Sequence, residues 1–151
     1  MSQQRIHLLK NHPATAKAMM ALEHQLAAGT LTIQLKELVK MRVSQLNGCA
    51  FCIDMHVAEA RKQGESDRRL HLLAAWREAG LFDARERAAL AWAEALTRLA
   101  NTQDVPDSLY NEVAAQFSEA EIVELTLTVV AINGWNRFQV GFRAQPAGAA
   151  A

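Results

Sequence analysis

Residues 37–56 read ELVKMRVSQLNGCAFCIDMH, and the architecture of the chain turns on what happens at Asn47-Gly48 inside that stretch. Asparagine and glycine are the residues that most readily take positive φ, so this pair predicts a break between two helices. The upstream helix spans roughly Ile33 to Leu46, with Thr32 as its cap. The downstream helix begins at about Cys49 or Ala50 and stops at Gly64. At about 100° per residue, Cys49, Cys52 and His56 then share one face, within an arc of roughly 60°. A thiol pair at a helix N-terminus meets free N–H groups and the positive end of the macrodipole, both of which favour a thiolate.

The same turn decides where Glu37 goes. In one continuous helix Glu37 would lie ~18 Å along the axis from Cys49. If Asn47-Gly48 reverses the chain, the two helices run antiparallel. Glu37 then falls nearest the level of His56, and Ser44 nearest that of Cys52. The expected order is a relay in which Glu37 orients His56 and His56 takes the proton of Cys52. Neighbouring Ile33, Leu38 and Met41 would desolvate Glu37.

Working outward, Pro13 opens a helix that ends at Gly29. Ser66 caps a helix expected over Asp67 to Glu78, and Asp83 with Glu86 reads as a capping box for one reaching about Ala100. Pro106 opens a short helix. Ser118 with Glu121 opens a long last one, with Gly134 as a place to bend it. The tail from 145 to 151 has nothing to pack against. No stretch alternates with a period of two, so the expected fold is all-α, a single domain over residues 1–151 with about seven helices and a redox core at about 30–100. One echo runs through it: VSQLNGC at 43–49 resembles VVAINGW at 129–135.

With 16 basic and 16 acidic residues the net charge is zero, which leaves no basic stripe for nucleic acid and no polybasic patch for a membrane surface. The N-terminus has no apolar export segment, and the apolar run from Ile122 to Ile132 is too short to span a bilayer. The expected setting is the cytoplasm, where a close cysteine pair points to catalysis or metal rather than a staple. A zinc site of Cys49, Cys52, His56 and Glu37 is the chemical rival, weakened because the chain has no other cysteine. Haem attachment would need histidine where Ile53 stands, and a thioredoxin-like fold would need strands. No cofactor is expected. Asp54 faces away from the cysteines. His7, His12, His24 and His71 read as surface residues, and Trp76 and Trp92 as core. The polar NGWNR segment at 133–137, with Trp135, Asn136 and Arg137, interrupts the most apolar helix and reads as packing, a lining of the active-site cavity or a subunit contact.

The motif Glu, eleven residues, Cys-x-x-Cys, three residues, His is met at Glu37, Cys49, Cys52 and His56 with no insertion. Together with NGCAFCIDMH at 47–56, RKQGE at 61–65, LAAWRE at 73–78 and AINGWNR at 131–137, it resembles the AhpD-like alkylhydroperoxidases of the carboxymuconolactone decarboxylase superfamily. The resemblance implies an all-helical unit forming homo-oligomers, often trimers or hexamers, that reduces hydroperoxides. It implies that Cys52 is the peroxidatic cysteine, Cys49 the resolving one, and His56 with Glu37 the proton relay. It also implies an external dithiol reductant, a lipoyl-bearing or thioredoxin-type protein. Some members carry histidine directly before the second cysteine; here that residue is Phe51. The lactone decarboxylase reaction of the superfamily is the enzymatic alternative, with no part for a redox cysteine pair.

Overall fold

Side-chain caps set most of the helix starts in the computed structural model, which describes residues 3–146 and 148. Its order is α1 (Leu8–Asn11), α2 (Pro13–Ala27), α3 (Ile33–Leu46), α4 (Ala50–Lys62), α5 (Asp67–Leu72), a 3₁₀ turn (Leu73–Ala75), α6 (Ala84–Thr97), α7 (Leu99–Thr102), α8 (Asp107–Ala114) and α9 (Glu119–Phe142). Among the described residues there is no strand, so the fold is all-α. Thr32 accepts from Leu35 N–H and Ser66 from Arg69 N–H. Asp83–Glu86 and Ser118–Glu121 both close as reciprocal capping boxes. Among the described residues nine α-helices appear rather than about seven, α1 and α7 being single turns. Most of the 145–151 tail lies outside the described residues.

Two boundaries differ from expectation. The helix expected over Asp67 to Glu78 leaves α-geometry after Leu72. The carbonyls of Trp76 and Arg77 are taken by the Arg87 guanidinium at 3.0 and 3.2 Å. The unwound end lets Trp76 turn inward and donate to Glu94 at 2.9 Å. The helix expected to reach Ala100 stops at Thr97 and restarts as α7, ended by Gln103 at φ 54°. In α9 the helix runs on through Gly134. A Cβ there would come within 2.9 Å of Met19 Cε, so this glycine serves close approach to α2.

α3 is the axis of the molecule. Every residue from Leu35 to Ser44 is buried, although the run contains Lys36, Glu37, Lys40 and Arg42. Burying unpaired charge is costly, and each of these finds a partner on a different element. Lys36 Nζ donates to Leu26 O at 2.6 Å and meets Glu124 of α9 at 3.3 Å. Lys40 pairs with Glu23 of α2 at 2.6 Å, and Arg42 with Glu94 of α6 at 2.7 Å. The apolar positions sort to two sides. Leu35, Val39 and Val43 pack with α6 and α9, while Leu38 and Met41 pack with Ala60, Leu70, Leu73, Trp76, Phe82 and Leu90.

Two carboxylates hold this arrangement. Burial pushes the Glu94 carboxyl up, but hydrogen bonds from Trp76, Arg77 and Arg42 outweigh it and hold it below the usual range. Burial likewise works against Glu124, whose carboxyl is held low by the N–H groups of Thr30 and Leu31, the Thr30 hydroxyl and Lys36. Gly29 is required beside it, because a Cβ there would overlap the Glu124 carboxylate.

Candidate active site

The chain reverses at Asn47-Gly48. Asn47 closes α3 at φ −86°, Gly48 takes φ 65°, and Cys49 becomes the N-cap of α4. Cys49 N–H returns to Ser44 O at 3.0 Å, which pins the first cysteine to the last turn of α3. Its Sγ accepts from Cys52 N–H at 3.3 Å, taking one of the donors left free at the start of a helix. Cys49 and Cys52 are joined as a disulfide with Cα atoms 5.3 Å apart. Each is 1% exposed, in the apolar cluster with Leu35, Val39 and Val43, with Phe51 packed partly buried against it.

One turn beyond Cys52 on the same face of α4, His56 is 5% exposed. Its Nδ1 lies 2.7 Å from Glu37 Oε2. A carboxylate only accepts, so Nδ1 carries the proton of this contact and Nε2 is the ring nitrogen left outside it. Nε2 is buried and has no hydrogen-bond partner. The four motif residues thus stand on two antiparallel helices, Glu37 on α3 behind His56 on α4, with the cysteines at the mouth of α4. Ser44 sits at the same level as the turn, donating to Lys40 O and accepting from Asn136.

Glu37 is engaged by His56, the sulfurs are bonded to each other, and among the described residues no three His, Cys, Asp or Glu side chains group as a metal site. Asp54, His7, His12, His24 and His71 are exposed, while Trp76 and Trp92 are buried. A concavity of about 880 Å³ between α6 and α8, bordered by Arg77, Arg87 and Arg98, includes none of the motif residues. No helix among the described residues is long and apolar enough to cross a membrane.

The NGWNR segment resolves into tethers. Trp135 donates to Glu23 at 3.0 Å. Arg137, exposed, donates back to Asn133. Asn136 is 1% exposed and bonds to Ser44 and Asn47. The contacts of Asn136 with Asn47 and Ser44 are not legible from spacing. The signal that could have found them is the echo, since its two asparagines, Asn47 and Asn133, meet at 3.0 Å.

The family model for the carboxymuconolactone decarboxylase family matches residues 13–95, which includes all four motif residues. The chain belongs to the carboxymuconolactone decarboxylase family. Within it, the uncharacterised protein YdfG of Bacillus subtilis is 41% identical over 137 residues, covering 91% of this chain and 92% of the relative. A solved structure from Agrobacterium tumefaciens, a protein of unknown function provisionally assigned as antioxidant defence protein AhpD, superposes with a TM-score of 0.92. It is 43% identical and covers 95% of this chain and 98% of that one. The alkylhydroperoxidase AhpD core from Ralstonia eutropha JMP134 superposes at 0.82 with 19% identity, covering 93% and 74%, a likeness of fold alone. The AhpD-like family and fold expected from the motif therefore hold.

Proposed function

We propose that the chain is a thiol-dependent hydroperoxide reductase that cycles Cys49 and Cys52 between dithiol and disulfide. The observation that carries the reading is the disulfide-bonded pair at a helix N-terminus, one turn from a buried histidine whose second nitrogen is backed by a carboxylate. In the cycle, His56 Nε2 takes the Cys52 proton and the thiolate attacks the terminal oxygen of ROOH. The O–O bond breaks, the proton passes to the leaving alkoxide to give ROH, and Cys52 becomes a sulfenic acid. The Cys49 thiol then displaces water and closes the disulfide. An external dithiol of the lipoyl or thioredoxin type opens it by exchange, becoming a disulfide itself. Glu37 holds the imidazole tautomer and stabilises the imidazolium.

Phe51, standing between the cysteines, makes the surroundings of the sulfurs apolar and suits an organic hydroperoxide. The reading includes a homo-oligomer, a trimer or hexamer, working in a reducing cytoplasm where the dithiol is regenerated. The decarboxylase reaction for which the family is named gives the disulfide no role, and ranks second. A thiol count before and after one equivalent of cumene hydroperoxide tests the proposal. Two thiols lost per chain, restored by dithiothreitol and not lost as a pair in Cys52→Ser, is the expected result. Unchanged thiols in the reduced wild type would end it.

A further inference from the structure

We infer that Asn136, with Asn133, is a positioning residue for the redox pair, acting through Asn47 and Ser44 to hold Cys49 in its cap. α9 runs beside α3 to its end, and its two asparagines, one turn apart, grip the reversal that presents the cysteines. Asn47 Nδ2 donates to Asn133 Oδ1 at 3.0 Å and to Asn136 Oδ1 at 2.9 Å. Asn136 Nδ2 donates to Ser44 Oγ at 3.0 Å, and Ser44 Oγ donates to Lys40 O at 2.8 Å. Asn133 is itself fixed, donating to Thr97 Oγ1 and Val129 O, both at 3.0 Å. Ser44 supplies the carbonyl that receives Cys49 N–H, and Asn47 precedes the positive-φ Gly48. The clasp therefore ties the two residues that fix where Cys49 starts α4.

A buried asparagine in an apolar helix invites this reading, because its cost is recovered only when its polar atoms are paired. Val or Leu at 136 would fill the same space. The pairing is spent on the one turn that carries the chemistry. Its consequence follows from what Cys49 caps. In the reduced pair the negative charge of the Cys52 thiolate is shared with the adjacent Cys49 sulfur through an S–H···S contact, which makes Cys49 Sγ a stronger acceptor than a disulfide sulfur, so a fixed Cys49 Sγ facing Cys52 N–H stabilises the reduced form preferentially. Releasing the turn removes that preference and makes the disulfide harder to open. The inference rests on the dithiol–disulfide cycle proposed above, and is independent of whether a hydroperoxide is the oxidant.

The test is the equilibrium between protein disulfide and dithiothreitol at fixed pH, read by acid quenching and mass-based thiol counting. In Asn136→Leu the equilibrium constant for reduction should fall about tenfold, about 30 mV for a two-electron couple. Asn47→Ala, at a half-buried position compatible with its backbone, should fall in the same direction and covers the case in which Asn136→Leu does not fold. Trp135→Phe, which removes the bond from the same helix to Glu23, should leave the constant unchanged while lowering stability. Constants within twofold of wild type in both Asn47→Ala and a folded Asn136→Leu would overturn the positioning role, as would an equal shift in Trp135→Phe. A wild-type disulfide that never opens in dithiothreitol sinks the redox reading, and the positioning role with it.

Discussion

Replacing Glu94 with glutamine should uncouple α3 from α6 in a way that acid can reveal. The carboxylate is 3% exposed and receives Arg42 Nε at 2.7 Å, Trp76 Nε1 at 2.9 Å and Arg77 Nη1 at 2.5 Å. Arg77 and Arg98 are about half exposed, so their share is small. Arg42 is the buried partner, and leaving it without a counter-charge is the main cost. Removing one member of a buried pair costs about 3–5 kcal/mol, and glutamine, which still accepts from Arg42 and Trp76, should fall near 3. Against a total of about 5–15 kcal/mol that is a large loss. In urea, with a slope of about 2 kcal/mol/M, the midpoint should drop by about 1.5 M at pH 7. The folded carboxyl is held below its unfolded value of about 4.3. Its contribution is thus fully present above that value and is lost as pH falls through the folded pKa. The gap between wild type and variant should stay constant from pH 7 to about 5 and then close, by at most about 1.4 kcal/mol per pH unit. A gap that is the same at pH 3.5 as at pH 7, or a loss under about 1 kcal/mol at neutrality, would refute the argument.

Gly29→Ala should displace the Glu124 carboxylate and cost about 1–3 kcal/mol in urea unfolding. In a Glu124→Ala background the same change should cost almost nothing, and equal costs in both backgrounds would exclude the clash. Ser118→Ala opens the capping box of α9 and should lower stability by about 0.5–2 kcal/mol by calorimetry. Glu37→Gln should keep the helical circular dichroism yet reduce hydroperoxide turnover about 100-fold or more, since the imidazolium loses its counter-charge. Turnover within a factor of two of wild type would remove Glu37 from the relay. Phe51→His should raise turnover by restoring a proton carrier between the cysteines, and a fall would show that the apolar surroundings matter more.

The parts legible in the sequence were those whose cause is local. Thr32, Ser66, Asp83 and Ser118 cap the helices they precede, because a cap is decided within three residues. The meeting of Glu37 with His56 followed from one reversal at Asn47-Gly48, counted outward. What escaped depended on distant partners. Nothing in the spacing of Lys36, Lys40 and Arg42 points to their burial, yet all are buried against acids 88, 17 and 52 residues away. The early end of α5 depends on Arg87 and Glu94, which belong to another helix. Trp135, Asn136 and Arg137 stood out as a polar interruption, but nothing in their spacing showed that Asn136 would reach Ser44.

α9 holds α3 at both ends. Glu124 takes Lys36 and the backbone leading into α3, and twelve residues later, ~18 Å along the axis, Asn136 takes Ser44 and Asn47. The two helices lie in parallel like a bone and its splint, and α3 has no freedom to slide past its neighbour by a turn. Whatever rearrangement exposes sulfurs that are 1% accessible must therefore come from the other side of the reversal. In the proposed cycle the part left to move is the opening turn of α4 beyond the pinned Cys49, residues 50–52, moving against Glu37 on a stationary α3. Exchange of the amides in that turn, measured in oxidised and reduced protein, should change at residues 50–52 and not at Cys49.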